Sequence, residues 1–359
     1  MALQKYVNIG GVWKPVTAEF VNIGGVWKNV ATNYVNVGGD WKAVPVGNRF
    51  FFTGETVNQE LYQGNAQGTS EWYYDCSPDA PYAVACNDSG ESYWCVGTDL
   101  IKLNSDGSLG WIHTSWSITK LSVATEKRGG YTYIYVGDYE GNVECLRDGV
   151  TPTTVWATNV DPVNTPPVNA LAVDSANGFV FVACGFYPSA MGMWRCDVAT
   201  GTFGTRRFAT TTSASAIAVD SGSPASVYLG DATKYYKLSA DGYKYWEKTR
   251  AGVITQLVVG HDGYGYFSCE TEKKIAKFTL STGVTVWEYT PGLASYAVGV
   301  GVDQTGSSVF GVFRNDGGTS GNYIYKVNGS GVYQWRWQSY VNVKFYGMAV
   351  TPGIKSAGY

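Results

Sequence analysis

Two histidines, seven cysteines and a recurring set of aspartates are the residues of this 359-residue chain whose chemistry could do more than build a fold. His113 follows Trp111-Ile112 near the end of an apparent strand, and His261 opens a His261-Asp262-Gly263 turn in a different part of the sequence. A shared acid–base task needs both groups within hydrogen-bond reach of one substrate. Their placement in separate units, near opposite or distant ends of them, argues against that, and His261-Asp262-Gly263 reads most simply as a turn. Asp174, Asp220 and Asp303 each follow an apolar strand directly. A ring of such acids would suit calcium or a cationic ligand, but aspartate at a turn start also caps local backbone N–H groups in every unit whatever the function. The recurrence favours capping. The odd cysteine count, with no paired CxxC spacing, describes neither a disulfide framework nor a zinc site. Cys95, Cys145 and Cys196 fall within apparent strands as small buried thiols, while Cys76 and Cys86 flank a chain reversal that could bring them together. No Ser-His-Asp order, P-loop or HExxH string occurs, so no catalytic, cofactor-binding or metal-binding residue is assigned and no cofactor is expected.

The elements that carry these residues repeat. Leu171–Asp174, Phe179–Ala183, Met193–Asp197 and Thr205–Phe208 form four strands in about 40 residues, the length of one propeller blade. The same order returns as Ile217–Asp220, Ser226–Gly230, Tyr235–Leu238 and Tyr245–Glu247, and again as Leu257–Val259, Gly265–Phe267, Ile275–Phe278 and Val286–Glu288. Third strands at Leu100–Leu103, Val143–Leu146 and Tyr323–Val327, each followed by a glycine turn, mark three more units. Tyr346–Val350 reads as a first strand with only nine residues after it, and Arg49–Thr53, Glu60–Tyr62 and Glu71–Tyr74 as second to fourth strands with no first. Joining the two sets closes a ring. The expected fold is all-β: a seven-bladed β-propeller over 49–359, closed by one C-terminal and three N-terminal strands so that no sheet edge stays open.

Ahead of it, a fourteen-residue unit is written three times: YVNIGGVWKPVTAE from Tyr6, FVNIGGVWKNVATN from Phe20 and YVNVGGDWKAVPVG from Tyr34. Alternating apolar residues, a glycine pair for a tight turn and a returning Trp-Lys strand make each copy a β-hairpin. A lone hairpin is marginal in water, so residues 1–48 are expected to form an anchor or assembly module. Trp13, Lys14, Trp27, Lys28, Trp41 and Lys42 are its candidate partner-binding residues, with a miniature tryptophan core as the plainer reading of the rings.

The 45 glycines, 15% aromatic and 15% charged residues suit short strands and tight turns. A net charge of −3 with no basic run gives no footprint for nucleic acid, and no apolar stretch approaches a bilayer span. The start, Met-Ala-Leu-Gln-Lys, lacks a signal-peptide core, which leads to the expectation of a product made in a host cytoplasm and released by lysis. Longer connections at Gly185–Gly192 and Arg314–Asn322 (second to third strand) and at Asn159–Pro167 (fourth to first) would share one face of the disc. Phe186, Tyr187, Arg314 and Asp316 are candidate ligand-face residues there, suited to a sugar or a protein surface; loop variation or subunit contacts are the alternative.

Two resemblances follow from these residues. The tandem VNxGGxWKxV units, keeping Gly-Gly and Trp-Lys in all copies and departing only at Val37 and Asp40, resemble segments of virion proteins of tailed bacteriophages. The blade cadence of IAVDSGSPASVYLGD and KLSADGYKYWEK resembles the quinoprotein-like propellers over about residues 49 to 350. The first implies a particle component, located in the virion, whose residues 1–48 bind other virion proteins in tail, fibre, collar or capsid. The second implies architecture only, because neither an acidic calcium site nor a catalytic aspartate can be placed on matching positions. A non-enzymatic structural role in host adhesion or capsid decoration is the leading expectation. A quinoprotein-like or glycan-active enzyme and a bacterial cell-surface binding module are the alternatives.

Overall fold

In a computed structural model the chain divides into two compact units, Met1–Gly47 and Asn48–Tyr359. The structure describes the strands of residues 6–55 by their backbone, and residues 59–351 except 66, 67, 69, 116, 187, 188, 223, 293, 294, 304, 315–321 and 339–343, with the backbone alone at 344–347 and 351. In the first unit, Tyr6–Ile9 pairs with Val12–Pro15, Phe20–Ile23 with Val26–Asn29, and Asn33–Val37 with Asp40–Val44, giving three separate two-stranded antiparallel sheets. Trp13, Lys14, Trp27, Lys28, Trp41 and Lys42 lie on these strands; their side chains fall outside the described residues.

The second unit contains six four-stranded sheets built from consecutive strands, described here as blades 1 to 6. Blade 1 is Pro81–Cys86, Ser92–Val96, Asp99–Leu103 and Leu109–His113. Blade 2 is Lys120–Arg128, Tyr131–Asp138, Asn142–Arg147 and Thr153–Asn159. Blade 3 is Val168–Asp174, Phe179–Cys184, Gly192–Asp197 and Phe208–Ala209. Blade 4 is Ala216–Val219, Ser226–Gly230, Lys234–Ser239 and Lys244–Thr249. Blade 5 is Ile254–Val259, Tyr264–Cys269, Lys274–Thr279 and Thr285–Tyr289. Blade 6 is Tyr296–Val302, Ser308–Arg314, Tyr323–Asn328 and Tyr333–Gln338. One further four-stranded sheet takes Lys344–Thr351 from the C-terminal side and Arg49–Glu55, Glu60–Asn65 and Ser70–Asp75 from the N-terminal side. Ala349 stands opposite Phe51 and Met348 opposite Phe52 in its ladder.

Burial explains why the strands read differently in sequence. Second strands such as Ser92–Val96 are buried on both faces and read as continuous apolar runs, whereas fourth strands such as Lys244–Thr249 alternate exposed and half-buried residues because only one side has a neighbour. The core is a series of apolar layers between successive sheets. One joins blades 1 and 2 through Tyr93 and Ile134, and others join blade 6 and blade 1 to the mixed-terminus sheet through Met348 and Ala349.

A tryptophan and a glycine lock most of these layers at the rim. Trp156, Trp246 and Trp287, each on a fourth strand, donate indole N–H hydrogen bonds to Val198 O (2.9 Å), Leu280 O (3.3 Å) and Gly329 O (3.0 Å) in the next blade's third-to-fourth turn. Their rings lie against Gly201, Gly283 and Gly331 of those turns, all at positive φ. Here glycine is required twice over, by the left-handed backbone and by the ring. For Gly283 (φ +66) an added Cβ would stand 2.8 Å from the Trp246 ring, whereas at Gly263 (φ +78) it would meet nothing within 4 Å. Gly283→Ala is therefore expected to cost about 2–3 kcal/mol and Gly263→Ala about 1–2, measured by urea unfolding. Equal losses would show that the ring contact contributes nothing.

Blade 3 departs from the pattern. Its fourth strand is Phe208–Ala209 rather than Thr205–Phe208, and the sequence offers no tryptophan there. Arg195 from the third strand takes the place of the indole, donating to Ala240 O at 3.3 Å and to Asp241 Oδ1 at 2.8 Å in the next blade.

Candidate ligand face and central channel

The titratable residues singled out in sequence are mostly occupied by the fold. Asp174 accepts from the Asn177 backbone and side-chain amides, Asp220 from the Gly222 and Ser226 N–H groups, and Asp303 from those of Thr305 and Ser307. Tyrosine hydroxyls from the same blades add to this: Tyr228 donates to Asp220 at 3.2 Å and Tyr266 to Asp262 at 2.6 Å. Lys277 Nζ completes Asp262 at 2.9 Å. His113 Nε2 lies 3.2 Å from Glu144 Oε1 of blade 2, close to the fourth-to-first connection, while His261 sits in a first-to-second turn at the other end of the sheets. The two histidines are not brought together.

All seven cysteines are free thiols, so Cys76 and Cys86 form no bridge. Burial pushes the Cys76 and Cys145 thiols up to about 12 and Cys269 up to about 11, with Asp75 adding to the effect at Cys76. Nucleophilic cysteines need the opposite environment. Among the described residues, no group of three or more His, Cys, Asp or Glu side chains is placed to hold a metal ion.

A cavity of about 400 Å³ lies where the innermost strands converge. Five of those strands carry a β-bulge near their start, and the extra residues (Tyr82, Leu121, Asn169, Thr255 and Val298) all line it, with Met348 joining from the mixed-terminus sheet. A bulge re-aims a side chain that regular pairing would commit to one face of the sheet. Neighbouring inner strands are tied across it by side chains reaching one blade onward: Ser122 Oγ to Val168 O (2.9 Å), Asn169 Nδ2 to Ala214 O (2.7 Å), Ser215 Oγ to Ile254 O (2.7 Å) and Thr255 Oγ1 to Ala297 O (3.0 Å). Gln256 spans further, donating to Met348 O at 2.7 Å while accepting from Val300 N–H at 3.0 Å.

Phe186, Glu270 and Arg314 line the rim on the face that carries the second-to-third and fourth-to-first connections. Phe186 is 70% exposed and sits at φ +72, with its ring 6.5 Å from that of Tyr139. Arg314, expected in sequence to be an exposed stacking group, is instead only 17% exposed. Its Nη2 pairs with Glu270 Oε1 at 3.1 Å, and the guanidinium lies 5.9 Å from the Tyr296 ring centre. Tyr187 and Asp316 lie outside the described residues. The connections 159–167 and 185–192 are bound to each other through Ser189 Oγ and Asn164 Oδ1 at 2.9 Å, and Arg206 Nη1 donates to Ser189 O at 2.7 Å. Loop length in the sequence drew attention to this face but not to Tyr82 and Asn169, since a bulge leaves no composition signal, nor to Glu270, whose connection between Cys269 and Lys274 is short.

On the opposite face, Asp148 of blade 2 gathers three donors from blade 1: Tyr93 Oη (2.8 Å), Lys102 Nζ (2.7 Å) and Trp111 Nε1 (2.9 Å). Glu91 pairs with the same ammonium at 2.8 Å. Burial opposes the Lys102 charge, but its hydrogen bonds to Asp148 and Glu91 outweigh that and hold its pKa above the usual lysine value.

No protein-family model matches this sequence, and no curated protein matches it. Similarity appears among solved structures. A protein of unknown function from Bacteroides caccae superposes with a TM-score of 0.53 at 10% identity, covering 85% of this chain and 99% of its own. A chain of a mitotic checkpoint complex superposes with a TM-score of 0.59 at 13% identity, covering 74% of this chain and 86% of its own. The fold is a β-propeller. At such identities the likeness carries architecture and nothing of activity or partners.

Proposed function

We propose that this chain is a non-enzymatic structural component of a phage-like virion, docked to the particle by residues 1–48 and presenting a seven-bladed propeller for host adhesion or decoration. In this reading the mixed-terminus sheet counts as the seventh blade. The observation that carries the proposal is the threefold VNxGGxWKxV unit, each copy a separate two-stranded sheet. Short identical units that cannot each bury an apolar face need neighbours, and a neighbouring protein can supply them. The propeller side of the proposal draws support from carboxylates engaged in turns and from thiols made inert by burial. The partners proposed are other virion proteins at 1–48 and a host-surface glycan or protein at the loop-rich face.

The test is association with particles. A tagged full-length chain supplied during particle production is expected to co-sediment with particles in a density gradient, and a chain beginning at Asn48, still folded by circular dichroism, is expected to stay at the top. Sedimentation of both chains, or of neither, would overturn the anchoring role of the repeats.

A further inference from the structure

The Asp148 cluster between blades 1 and 2 holds more than an ion pair needs. Lys102 Nζ stands between two carboxylates, 2.7 Å from Asp148 Oδ2 and 2.8 Å from Glu91 Oε1. The two Asp148 oxygens have different surroundings. Oδ1 accepts from Trp111 Nε1–H and from the Gly149 backbone N–H, both at 2.9 Å, which is the two-donor arrangement that stabilises an oxyanion. Oδ2 faces the lysine and accepts from Tyr93 Oη at 2.8 Å. The carboxyl carbon is bonded to Oδ2, so the lysine nitrogen needs only a small shift to reach the near-attack spacing of about 3–3.5 Å. Tyr93 and Trp111 are buried, while a cavity of about 270 Å³ lined by Glu91, Asp148 and Gly149 offers a released water a way out. Blade 5 makes a simpler pair, Lys277 with Asp262 at 2.9 Å, and there, among the described residues, the lysine pairs with no second carboxylate.

We propose that Lys102 and Asp148 condense to an intramolecular amide that joins blade 1 to blade 2, with Glu91 as the proton relay. The ammonium first passes a proton to Asp148 Oδ2, giving an amine and a carboxylic acid. The nitrogen lone pair then forms the N–C bond at Cγ, and the carbonyl electron pair moves to Oδ1, where the Trp111 and Gly149 N–H groups hold it. Glu91 takes a proton from the nitrogen and delivers it to Oδ2, which leaves as water as the C–O bond breaks and the Oδ1 carbonyl re-forms. Nothing is oxidised or reduced, and one water is the only by-product. The hydrogen bonds to Asp148 and Glu91 keep Lys102 charged, so the amine–acid form is a minor one and the reaction is slow. It has to occur only once per chain. Freshly folded protein therefore holds the ion pair, and the amide forms afterwards.

Mass spectrometry of the full-length protein, denatured after prolonged incubation in the folded state, tests it. The parent is expected to be lighter than its sequence mass by one water, about 18 Da. Trypsin is expected to release residues 50–120 joined to residues 148–195, because an acylated Lys102 is no longer cut. Lys102→Arg keeps the positive charge and should stay at its full mass, with no joined peptides. Glu91→Gln should slow the condensation by about 100-fold while leaving the circular dichroism spectrum unchanged. A parent that stays at its sequence mass would overturn the proposal. So would a parent that loses water without yielding the joined peptides, as a cyclic imide at Asp148-Gly149 would, or a Glu91→Gln protein that condenses as fast as the parent.

Discussion

A chain ended after Val343 is expected to lose cooperative folding of the propeller, while one ended after Thr351 keeps it. The shorter chain lacks the strand Lys344–Thr351, which supplies the innermost position of the mixed-terminus sheet. Met348, Ala349 and Val350 on that strand are at most 1% exposed and fill the layers facing blades 6 and 1. Burial of the Met348 and Val350 side chains alone is worth about 3–6 kcal/mol. Losing the strand would also strip Arg49–Glu55 of its ladder partner and leave Gln256 without the Met348 carbonyl. Against a total stability of about 5–15 kcal/mol for a typical domain, that is enough to abolish the folded population. Thermal unfolding by circular dichroism, compared between the two truncations, reads it directly. Equal melting temperatures would mean that the terminal strand is an accessory and that the ring is held elsewhere.

The second large effect is expected at Asp148, where Asp148→Ala should cost about 3–5 kcal/mol because it leaves donors from Tyr93, Lys102 and Trp111 unmatched in a site that water scarcely reaches. The Asp148 and Lys102 side chains are only 10% and 9% exposed, so solvent screens little of the loss. Glu91 retains half of the lysine's pairing, which keeps the figure from rising higher. Adding Lys102→Met to Asp148→Ala should recover part of the loss, since the ammonium left with Glu91 alone is then gone. Urea unfolding of the parent, both single variants and the double variant provides the cycle. A double variant no better than the sum of the singles would show that the lysine and the aspartate do not act as a pair.

Much of the architecture was legible because blades repeat locally. The four-strand order returns with similar spacing in successive units, so the period near 40 residues showed itself, and the unmatched strands at both ends pointed to their own pairing. Asp174, Asp220 and Asp303 were legible as caps for the same reason: their partners lie within a few residues. What escaped is nonlocal. The indole of Trp246 finds Leu280 and Gly283 in the next blade, and Lys102 finds Asp148 in blade 2; nothing in either sequence segment names the other. The ion pair that withdraws Arg314 from the surface joins residues of two different blades, so loop length alone exposed it wrongly. Bulged residues were equally hidden, since one extra residue in a strand alters pairing without altering composition.

The central claim, that tandem repeats fix a displayed propeller to a particle, is tested most directly by electron cryomicroscopy of intact particles from cells that produce this chain. The account predicts ring-shaped density at the particle surface, with residues 1–48 in contact with other virion proteins. Particles without that density, with the chain recovered free in the lysate, would contradict it.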